Sequence, residues 1–437
     1  MSYSHHTFKL ENQISGIAVR VPCAKTSTLI IASKVGSKDE KKGEFGIAHL
    51  LEHLIFRGSS QVKSSIELTH KMDQLGAVFN AYVSKHVTYY HVKFYWNDKN
   101  FKELVEIMVN LVTEPELKNK SLELEKKVVL NEIDQYLNDD EEYVDKLLTQ
   151  SILGDDPLAH DITGDKKIIQ KITQSEIKKF HQKHYQSNNL YAVLAGKYSV
   201  EGLRLFKKIL SQIKSSDTPK EKEKKKVAIP KEIPVKNDRT LELLVRTRND
   251  NNQTVLGIGF PTIGFLDPRK EEMIMLNSLI AGSDGSKLHL SLREEKGLVY
   301  SVSSNYYRYP EGGLLIIKTS FQPSKLREVL SLIYEVIEGL KKDISEKDQR
   351  QHLESLIGYN WIEAESIFHL AEYYAQELIF CDEIRPYHYQ AKSLTKIKNK
   401  NLVKLSNSVL DWNKASIIAI GPVKKGDLVK ALPKELK

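Results

Sequence analysis

The hydrophobic and polar positions along the chain predict a mixture of helices and short strands. Segments with apolar residues at helical spacing predict amphipathic helices over residues 46–56, 121–137, 270–280 and 326–341. Compact runs rich in β-branched and aromatic residues predict strands over residues 28–33, 87–94, 190–195, 254–260, 314–321 and 416–420. Because strands and helices do not alternate strictly, this order favours an α+β fold, with helices packed on a mainly antiparallel sheet.

The same rhythm of segments occurs twice. Gly76-Ala-Val-Phe-Asn-Ala is similar to Gly297-Leu-Val-Tyr-Ser-Val, 221 positions later, and Leu190-Tyr-Ala-Val-Leu-Ala-Gly is similar to Ala415-Ser-Ile-Ile-Ala-Ile-Gly, at an offset of 225. Nearly constant offsets indicate one structural unit used twice. The stretch between the halves is rich in Lys, Glu, Pro and Ser, which is typical of a linker. We therefore predict an N-terminal domain at 1–214, a charged linker at 215–236 and a homologous C-terminal domain at 237–437.

Composition is that of a globular protein with more than one core. The chain has 437 residues, of which 41% are hydrophobic and 28% charged. No apolar run approaches the roughly 20 residues that a membrane helix needs. The first 12 residues lack an apolar core, so we expect no secretory signal. The only cysteines are Cys23 and Cys381, which predicts a reducing compartment and a cytoplasmic location.

The net charge of +8 raises the question of a nucleic-acid partner. The densest basic run, Lys220 to Lys226, contains Glu221 and Glu223 and lies between two prolines. Mixed charge in a Pro-flanked stretch favours a solvated linker over a nucleic-acid contact. We therefore predict neither a nucleic-acid partner nor a membrane partner.

The segment Ala48-His-Leu-Leu-Glu-His-Leu54 carries the most specific chemistry. At about 100° per residue, His49 and His53 lie about 40° apart on one face of the predicted helix, so both imidazoles can reach one cation. Glu52 lies on the adjoining side, where its carboxylate reaches a metal-bound water as a general base does. The alternative is a structural helix with two partly buried histidines.

A catalytic zinc ion usually has three protein ligands and one open position. Glu125 and Glu132 lie seven residues apart on a predicted helix and hence on one face. Either carboxylate can supply the third ligand, with the other supporting a ligating imidazole. Helical geometry alone does not choose between them.

Several motifs together resemble the pitrilysin and insulinase family of metallopeptidases. In chain order these are residues 36–43, Gly46-Ile-Ala-His-Leu-Leu-Glu-His-Leu-Ile-Phe-Arg-Gly58, Leu75-Gly-Ala-Val-Phe-Asn-Ala-Tyr82, Glu125 to Glu132, and Pro157-Leu-Ala-His-Asp-Ile-Thr-Gly164. The length and the single pair of halves are most similar to the mitochondrial-processing-peptidase branch, which includes small bacterial peptidases. The resemblance covers nearly the whole chain.

Position by position, the resemblance implies that His49, His53 and Glu132 bind one Zn²⁺ per chain. It implies that Glu52 is the general base and that Glu125 is a supporting carboxylate. The interval from His53 to Glu132 is slightly longer than the family pattern, and a short insertion near Lys120 would account for the difference.

Two further positions match family features. Arg293 and Tyr300 resemble the family's pair that binds substrate carbonyls and stabilises the tetrahedral intermediate; the alternative is an exposed charge and a strand aromatic. Asn80 and Ala81 resemble the edge strand to which peptide substrates add; the alternative is a structural edge.

These observations predict a zinc-dependent endopeptidase that cleaves peptides or unfolded segments in an enclosed chamber, with Glu52 activating a zinc-bound water. The family's architecture implies a homodimer in which Arg293 and Tyr300 of one chain complete the zinc site of the other. The alternative is a non-catalytic peptide-binding or assembly subunit of a related heterodimeric peptidase.

Overall fold

The structure is a computed structural model, and it describes residues 3–216, 241–249 and 252–437. Residues 217–236 of the predicted linker, with the basic run Lys220 to Lys226, lie outside this description. None of the helices in the described part of the chain combines the length and apolar character that a membrane crossing requires.

Strands and helices follow one another in an α+β order. The strands are β1 (Ser4–Lys9), β2 (Ser15–Arg20), β3 (Thr26–Ser33), β4 (Ala77–Val83), β5 (Thr88–Tyr95), β6 (Leu190–Gly196), β7 (Glu242–Thr247), β8 (Thr254–Thr262), β9 (Val299–Arg308), β10 (Gly313–Phe321) and β11 (Ser416–Gly421). The helices are α1 (Ile47–Ile55), α2 (Ser65–Gln74), α3 (Asp98–Thr113), α4 (Asn119–Asn138), α5 (Asp140–Leu153), α6 (Lys166–Lys171), α7 (Gln174–His184), α8 (Val200–Ser211), α9 (Lys270–Ile280), α10 (Leu326–Lys342), α11 (Glu346–Ala364), α12 (Ile367–Phe380), α13 (Tyr389–Leu394), α14 (Asn399–Val409) and α15 (Lys425–Ala431).

The strands of the described residues form two sheets, and the five strands from β2 to β4 in the first sheet have the same connectivity as the five strands of the second. The first has the order β1-β2-β6-β3-β5-β4, and the second has the order β7-β11-β8-β10-β9. Strand β2 is parallel to β6 and β7 is parallel to β11, whereas the other pairs within the described residues are antiparallel. The prediction of two homologous α+β domains with mainly antiparallel sheets is confirmed. The glycines that mark the repeat, Gly76 and Gly297, both have positive φ and precede the edge strands β4 and β9.

Each sheet belongs to a compact unit that draws on both halves of the sequence. Among the described residues, the first unit contains 3–134, 160–216 and 361–387, and the second contains 135–159, 241–249, 252–360 and 388–437. Helix α5 packs on β8 and β11 of the second sheet, and α12 packs on β6 and β3 of the first. Helix α5, from the first half of the sequence, thus belongs to the second unit, and α12, from the second half, belongs to the first. The contiguous domains expected from the sequence did not include this exchange of helices.

Apolar packing explains the exchange. Val144 and Leu148 of α5 are fully buried against the second sheet, where Gly257 and Gly259 leave room for them. Leu370 and Tyr374 of α12 are equally buried against the first sheet. Each helix therefore covers apolar strand residues that would otherwise face water.

The start of helix α1, which carries both histidines of the motif, is held by Gly46 and Glu40. Gly46 precedes it with a φ of +93°. The carboxylate of Glu40, which is 4% exposed, accepts hydrogen bonds from the N–H groups of Gly46 at 2.8 Å and Ala48 at 2.9 Å. These bonds satisfy donors of the first turn that have no partner within the helix. Burial raises the pKa of Glu40 to about 8, and the two hydrogen bonds act in the opposite direction.

Two glycines allow the chain to approach this helix end closely. Gly164 has a φ of +84°, and a Cβ added there would overlap the Cα of Gly46 and the carbonyl oxygen of Phe45. Both overlaps involve backbone atoms, so α1 or the loop before α6 would have to move. Gly164 is thus a packing requirement of the motif helix and not only a turn residue.

The Gly164→Ala variant should therefore be destabilised more than Gly43→Ala, which serves as its control. Gly43 has a similar φ of +96°, but a Cβ added there meets no atom within 4 Å. Gly43→Ala should lose about 1–2 kcal/mol of unfolding free energy through backbone strain, and Gly164→Ala about 1–3 kcal/mol more through overlap. Urea unfolding measures both, and equal losses would contradict the role given to the close approach.

Candidate metal centre

Helices α1 and α4 bring three potential metal ligands together. The Nε2 atoms of His49 and His53 lie 3.3 Å apart. A carboxylate oxygen of Glu132, from α4, lies 3.7 Å from the Nε2 of His49 and 3.5 Å from that of His53. Among the described residues, these three form a group of His, Cys, Asp or Glu side chains able to hold a metal ion.

The spacing fits a small tetrahedral ion. Nitrogen ligands about 2.0–2.1 Å from a tetrahedral zinc ion are separated by about 3.3–3.4 Å, which is the separation of the two imidazole nitrogens. With the Glu132 carboxylate oxygen beside the two nitrogen atoms, three donor atoms lie within 4.8 Å of one another. The donor set of two imidazoles and one carboxylate suits zinc, and it leaves a fourth position for water or substrate.

Glu125 occupies a different place from Glu132, although both belong to α4. Its carboxylate is 2% exposed, lies 3.0 Å from the Nδ1 atom of His53 and forms an ion pair with Arg57. When the Nδ1–H of His53 donates to this carboxylate, the lone pair of Nε2 is directed at the metal position. The two carboxylates left open by helical spacing are therefore distinguished by geometry: Glu132 is on the Nε2 side and Glu125 is behind the ring.

The protonation of the two imidazoles differs because their surroundings differ. Burial, and then the neighbouring His53, lower the pKa of His49 to about 4, so this ring is neutral and can ligate. Burial also acts to lower the pKa of His53, but the hydrogen bond to Glu125 and the charges of Glu52 and Glu132 outweigh it and raise that pKa. A cation bound at Nε2 would exclude the extra proton.

Glu52 lies beside the ligands rather than among them. Its nearest carboxylate oxygen is 3.9 Å from the Nε2 of His53, and the residue is 8% exposed. Burial raises the pKa of Glu52 to about 7; His53 opposes this shift, and the nearby Glu132 adds to it. A carboxylate with a pKa near neutrality both accepts and returns a proton readily, as a general base requires. A bound cation would lower this pKa.

A cavity of about 570 Å³ opens above these residues within the first unit. One of its walls is β4, including Asn80 and Ala81, and among the described strands β4 is an edge strand whose single partner is β5. The side-chain oxygen of Asn80 accepts a hydrogen bond from the N–H of Ala81 at 2.8 Å. The two residues assigned to substrate binding thus border the same cavity as His49, Glu52 and His53.

Arg293 and Tyr300 belong to the second unit. Arg293 lies in a π-helix, His289–Glu295. Buried Leu292 anchors this helix, and Gly297, with a φ of +57°, ends it before β9. Arg293 is exposed and Tyr300 is 50% exposed on the edge strand. Single-turn π-helices are frequent at functional sites.

Two residues that support the centre were not identified from the sequence. Arg57 lies four residues after His53, so the helical spacing that linked His49 to His53 also contained the signal for it. Glu40 lies in the loop before α1, and no spacing rule connects that loop to the first turn of the helix. Its role depends on the loop folding back against the start of α1, which only the tertiary structure shows.

Two models of known protein families match this chain. The family model described as Insulinase (Peptidase family M16) matches residues 17–166, and the model described as Peptidase M16 inactive domain matches residues 171–356. The first match contains all the potential metal ligands and Glu52. The second contains Arg293 and Tyr300.

Relatives and solved structures agree with these matches. An uncharacterized zinc protease of Streptomyces coelicolor is 25% identical over 315 residues, covering 71% of this chain and 66% of the relative. The uncharacterized zinc protease YmxG of Bacillus subtilis is 24% identical over 82% of this chain and 84% of the relative. A protease from Helicobacter pylori has a similar fold, with a TM-score of 0.86 and 21% identity over 95% of this chain and 99% of that chain. A peptidase M16 inactive domain from Pseudomonas fluorescens also has a TM-score of 0.86, with 19% identity over 96% and 98% of the two chains.

Removing Arg57 should weaken metal binding without removing a ligand. In Arg57→Ala the buried Glu125 carboxylate loses its cation and holds His53 less firmly, so zinc affinity should fall about 10–100-fold. Arg57→Lys keeps the charge and should recover part of the loss. Zinc affinity is measured by competition with a chromophoric chelator.

The matched control is Lys71→Ala, which breaks the surface ion pair with Glu103 in the same unit. It should leave the zinc affinity at the wild-type value because surface pairs contribute little. Equal affinities for Arg57→Ala and Lys71→Ala would show that Arg57 does not support the centre.

Proposed function

The chain belongs to the insulinase family of peptidases (family M16), and on that premise we propose that it is a zinc-dependent endopeptidase with Glu52 as its general base. Its substrates are peptides or unfolded segments, cleaved in an enclosed chamber. The family and the names of its zinc-protease relatives support a peptidase that uses zinc. The internal cleavage of peptides and the residue roles are the proposal.

One observation carries the proposal. His49, His53 and Glu132 bring three donor atoms within 4.8 Å of one another, and Glu52 lies beside this group without belonging to it. A purely structural helix would have no need to gather two half-buried imidazoles and a carboxylate around a cavity. The combination of a three-ligand site and an adjacent carboxylate is what hydrolysis of an amide requires.

A zinc ion held by His49, His53 and Glu132 would polarise the carbonyl of the cleaved bond and make a water molecule more acidic. Glu52 accepts the proton of the attacking water as the new C–O bond forms. When the C–N bond breaks, Glu52 delivers that proton to the leaving nitrogen, which departs as an amine. Glu125 keeps His53 oriented throughout, because Arg57 holds the carboxylate in place.

The edge strand β4 suits an extended substrate. Its free edge offers main-chain donors and acceptors that a peptide strand can pair with, which favours unfolded segments over folded proteins. The Asn80 side chain already bonds the N–H of Ala81. A substrate carbonyl that binds this N–H takes the place of the Asn80 oxygen, and Asn80 thereby protects the edge from other strands when no substrate is bound.

Arg293 and Tyr300 complete the proposal through a homodimer, in which this pair from one chain acts at the zinc site of the other. Their exposure leaves both side chains available for a substrate. A guanidinium and a phenol can both donate hydrogen bonds to carbonyl oxygens and to the negative charge that develops during attack.

The second candidate is a non-catalytic peptide-binding subunit. The match of residues 171–356 to a model described as an inactive domain favours it for the C-terminal half. The N-terminal half, however, contains the full set of ligands and Glu52, so a non-catalytic role for the whole chain would leave this set without a purpose.

The Glu52→Gln variant separates the two candidates. It should keep its zinc but lose at least about a hundredfold in kcat/KM on a quenched fluorescent peptide, because the amide cannot accept the proton. Metal content is measured by mass spectrometry after desalting. Glu103→Gln, a surface change in the same unit, is the control and should retain activity. Full activity in Glu52→Gln would exclude the mechanism, and absence of chelator-sensitive cleavage in the wild type would favour the non-catalytic subunit.

Mixing two inactive variants tests the homodimer. Arg293→Ala chains have an intact Glu52, and Glu52→Gln chains have an intact Arg293, so each mixed dimer regains one complete site. Refolding or exchanging the two in equal amounts should yield about a quarter of wild-type activity by random pairing. A mixture no more active than the sum of its components would show that Arg293 does not act across the dimer.

A further inference from the structure

The edge strand β4 is held from both faces of its sheet. Successive side chains of a strand point to opposite faces, and Phe79 and Tyr82 accordingly make different contacts. Phe79 packs on Phe56, at the end of α1, with ring centroids 5.0 Å apart. Tyr82 stacks on Tyr89 of β5 with centroids 4.8 Å apart and reaches α12.

The contact with α12 is a hydrogen bond between Tyr82 and Glu372. The phenol donates to the carboxylate across a sequence separation of 290 residues. Burial, and then the charge of Glu372, raise the pKa of Tyr82 above its ordinary value, so the phenol keeps the proton that it donates. Both side chains are partly buried, which makes a hydrogen bond to a charged group stronger than it is in water.

Helix α12 is a firm support for this bond. Its residues Leu370, Ala371 and Tyr374 are buried to at least 99% against the sheet. Glu372 has no ion-pair partner within 4 Å among the described residues, so Tyr82 is the group that accounts for its position. The helix thus brings a carboxylate to the strand without needing it for its own packing.

Tyr82 also lines the cavity above the metal ligands, next to Ala81 and Val83. Within the part of the chain that the structure describes, β4 has a hydrogen-bonded neighbour on one side only, so its order depends on side-chain contacts more than that of an inner strand. A peptide that pairs with a strand already in place loses less conformational entropy on binding than one that must also order its partner.

We propose that Glu372 is a positioning residue for substrate binding, which acts through Tyr82 to hold the Ala81–Val83 end of β4 ready to pair with an extended peptide. This inference rests on the proposed function in assuming that peptides bind along β4. Glu372 touches neither the metal ligands nor Glu52, and so it affects the binding of the peptide rather than the chemical step.

Kinetics of four variants test the role. Glu372→Ala and Tyr82→Phe each remove the hydrogen bond, and each should raise KM for oxidised insulin B chain about tenfold, the weight of one hydrogen bond to a charged group. The kcat should stay within about twofold. Glu372→Gln keeps an acceptor for the phenol and should restore most of the wild-type KM. The double variant Tyr82→Phe with Glu372→Ala should be no worse than either single change.

The control is Glu365→Ala, the same change of charge at an exposed position just before α12. It should leave KM and kcat at wild-type values. Unfolding midpoints of all variants show whether a loss reflects the fold, and Tyr82→Phe, which removes one oxygen atom, is the variant best able to fold normally. A Glu372→Gln variant as weak as Glu372→Ala would overturn the inference, as would a fall in kcat with KM unchanged.

A binding measurement separates this inference from the proposed function. In the Glu52→Gln background, the Kd of fluorescein-labelled oxidised insulin B chain is measured by anisotropy with no turnover needed. Adding Glu372→Ala should raise Kd about tenfold, and adding Glu372→Gln should not. If the wild type fails to cleave but these Kd values differ as stated, the enzyme proposal fails and the positioning role holds. Equal Kd values, or no binding by either protein, would refute the positioning role.

Discussion

A carboxylate removed from water must be paired, and in this protein that requirement fixes how the motif helix meets its partner. Glu125 is 2% exposed and is balanced by Arg57 and by the Nδ1 side of His53. An unpaired charge at such a site would be strongly destabilising. The pairing sets the distance between α1 and α4 and the rotation of the His53 ring. Glu132, two helical turns further along α4, then faces the two Nε2 atoms.

The rest of the centre depends on where α1 lies. Leu50, Leu51 and Leu54 anchor the helix to the core. Glu40 accepts hydrogen bonds from its first-turn donors, and Gly164 permits the loop to pass against Gly46, the residue before the helix. A metal site needs ligands held within a few tenths of an ångström, which loops alone rarely provide. Here the three residues that could hold a metal ion come from two helices, and buried polar contacts fix one of those helices at its start and beyond its end.

Because of the exchange of helices, α12, from the second half of the sequence, contacts the strand that lines the cavity of the first unit. Helix α12 covers one face of the first sheet, and through Glu372 it also contacts the edge strand that lines the cavity. Residues far apart in the chain thereby contribute to one surface. In the second unit, the same connectivity places Tyr300 on the equivalent edge strand, β9, at the position that corresponds to Phe79 when the repeats are aligned at an offset of 221.

The local pattern of apolar and polar residues was sufficient to predict many of the strands and the face of α1 that carries both histidines. Helical spacing placed His49 and His53 on one face, and the apolar runs located β3, β5, β6, β8, β10 and β11 within two residues of their bounds because these signals arise from neighbouring residues. The repeat in the sequence anticipated the shared sheet order. Spacing did not distinguish Glu125 from Glu132, because residues seven apart on a helix share a face; only the position of α4 relative to the His53 ring assigns them. The exchange of α5 and α12, the cap from Glu40, and the pairing of Tyr82 with Glu372 were decided by tertiary structure, because each depends on contacts between segments whose separation in the chain carries no periodic signal.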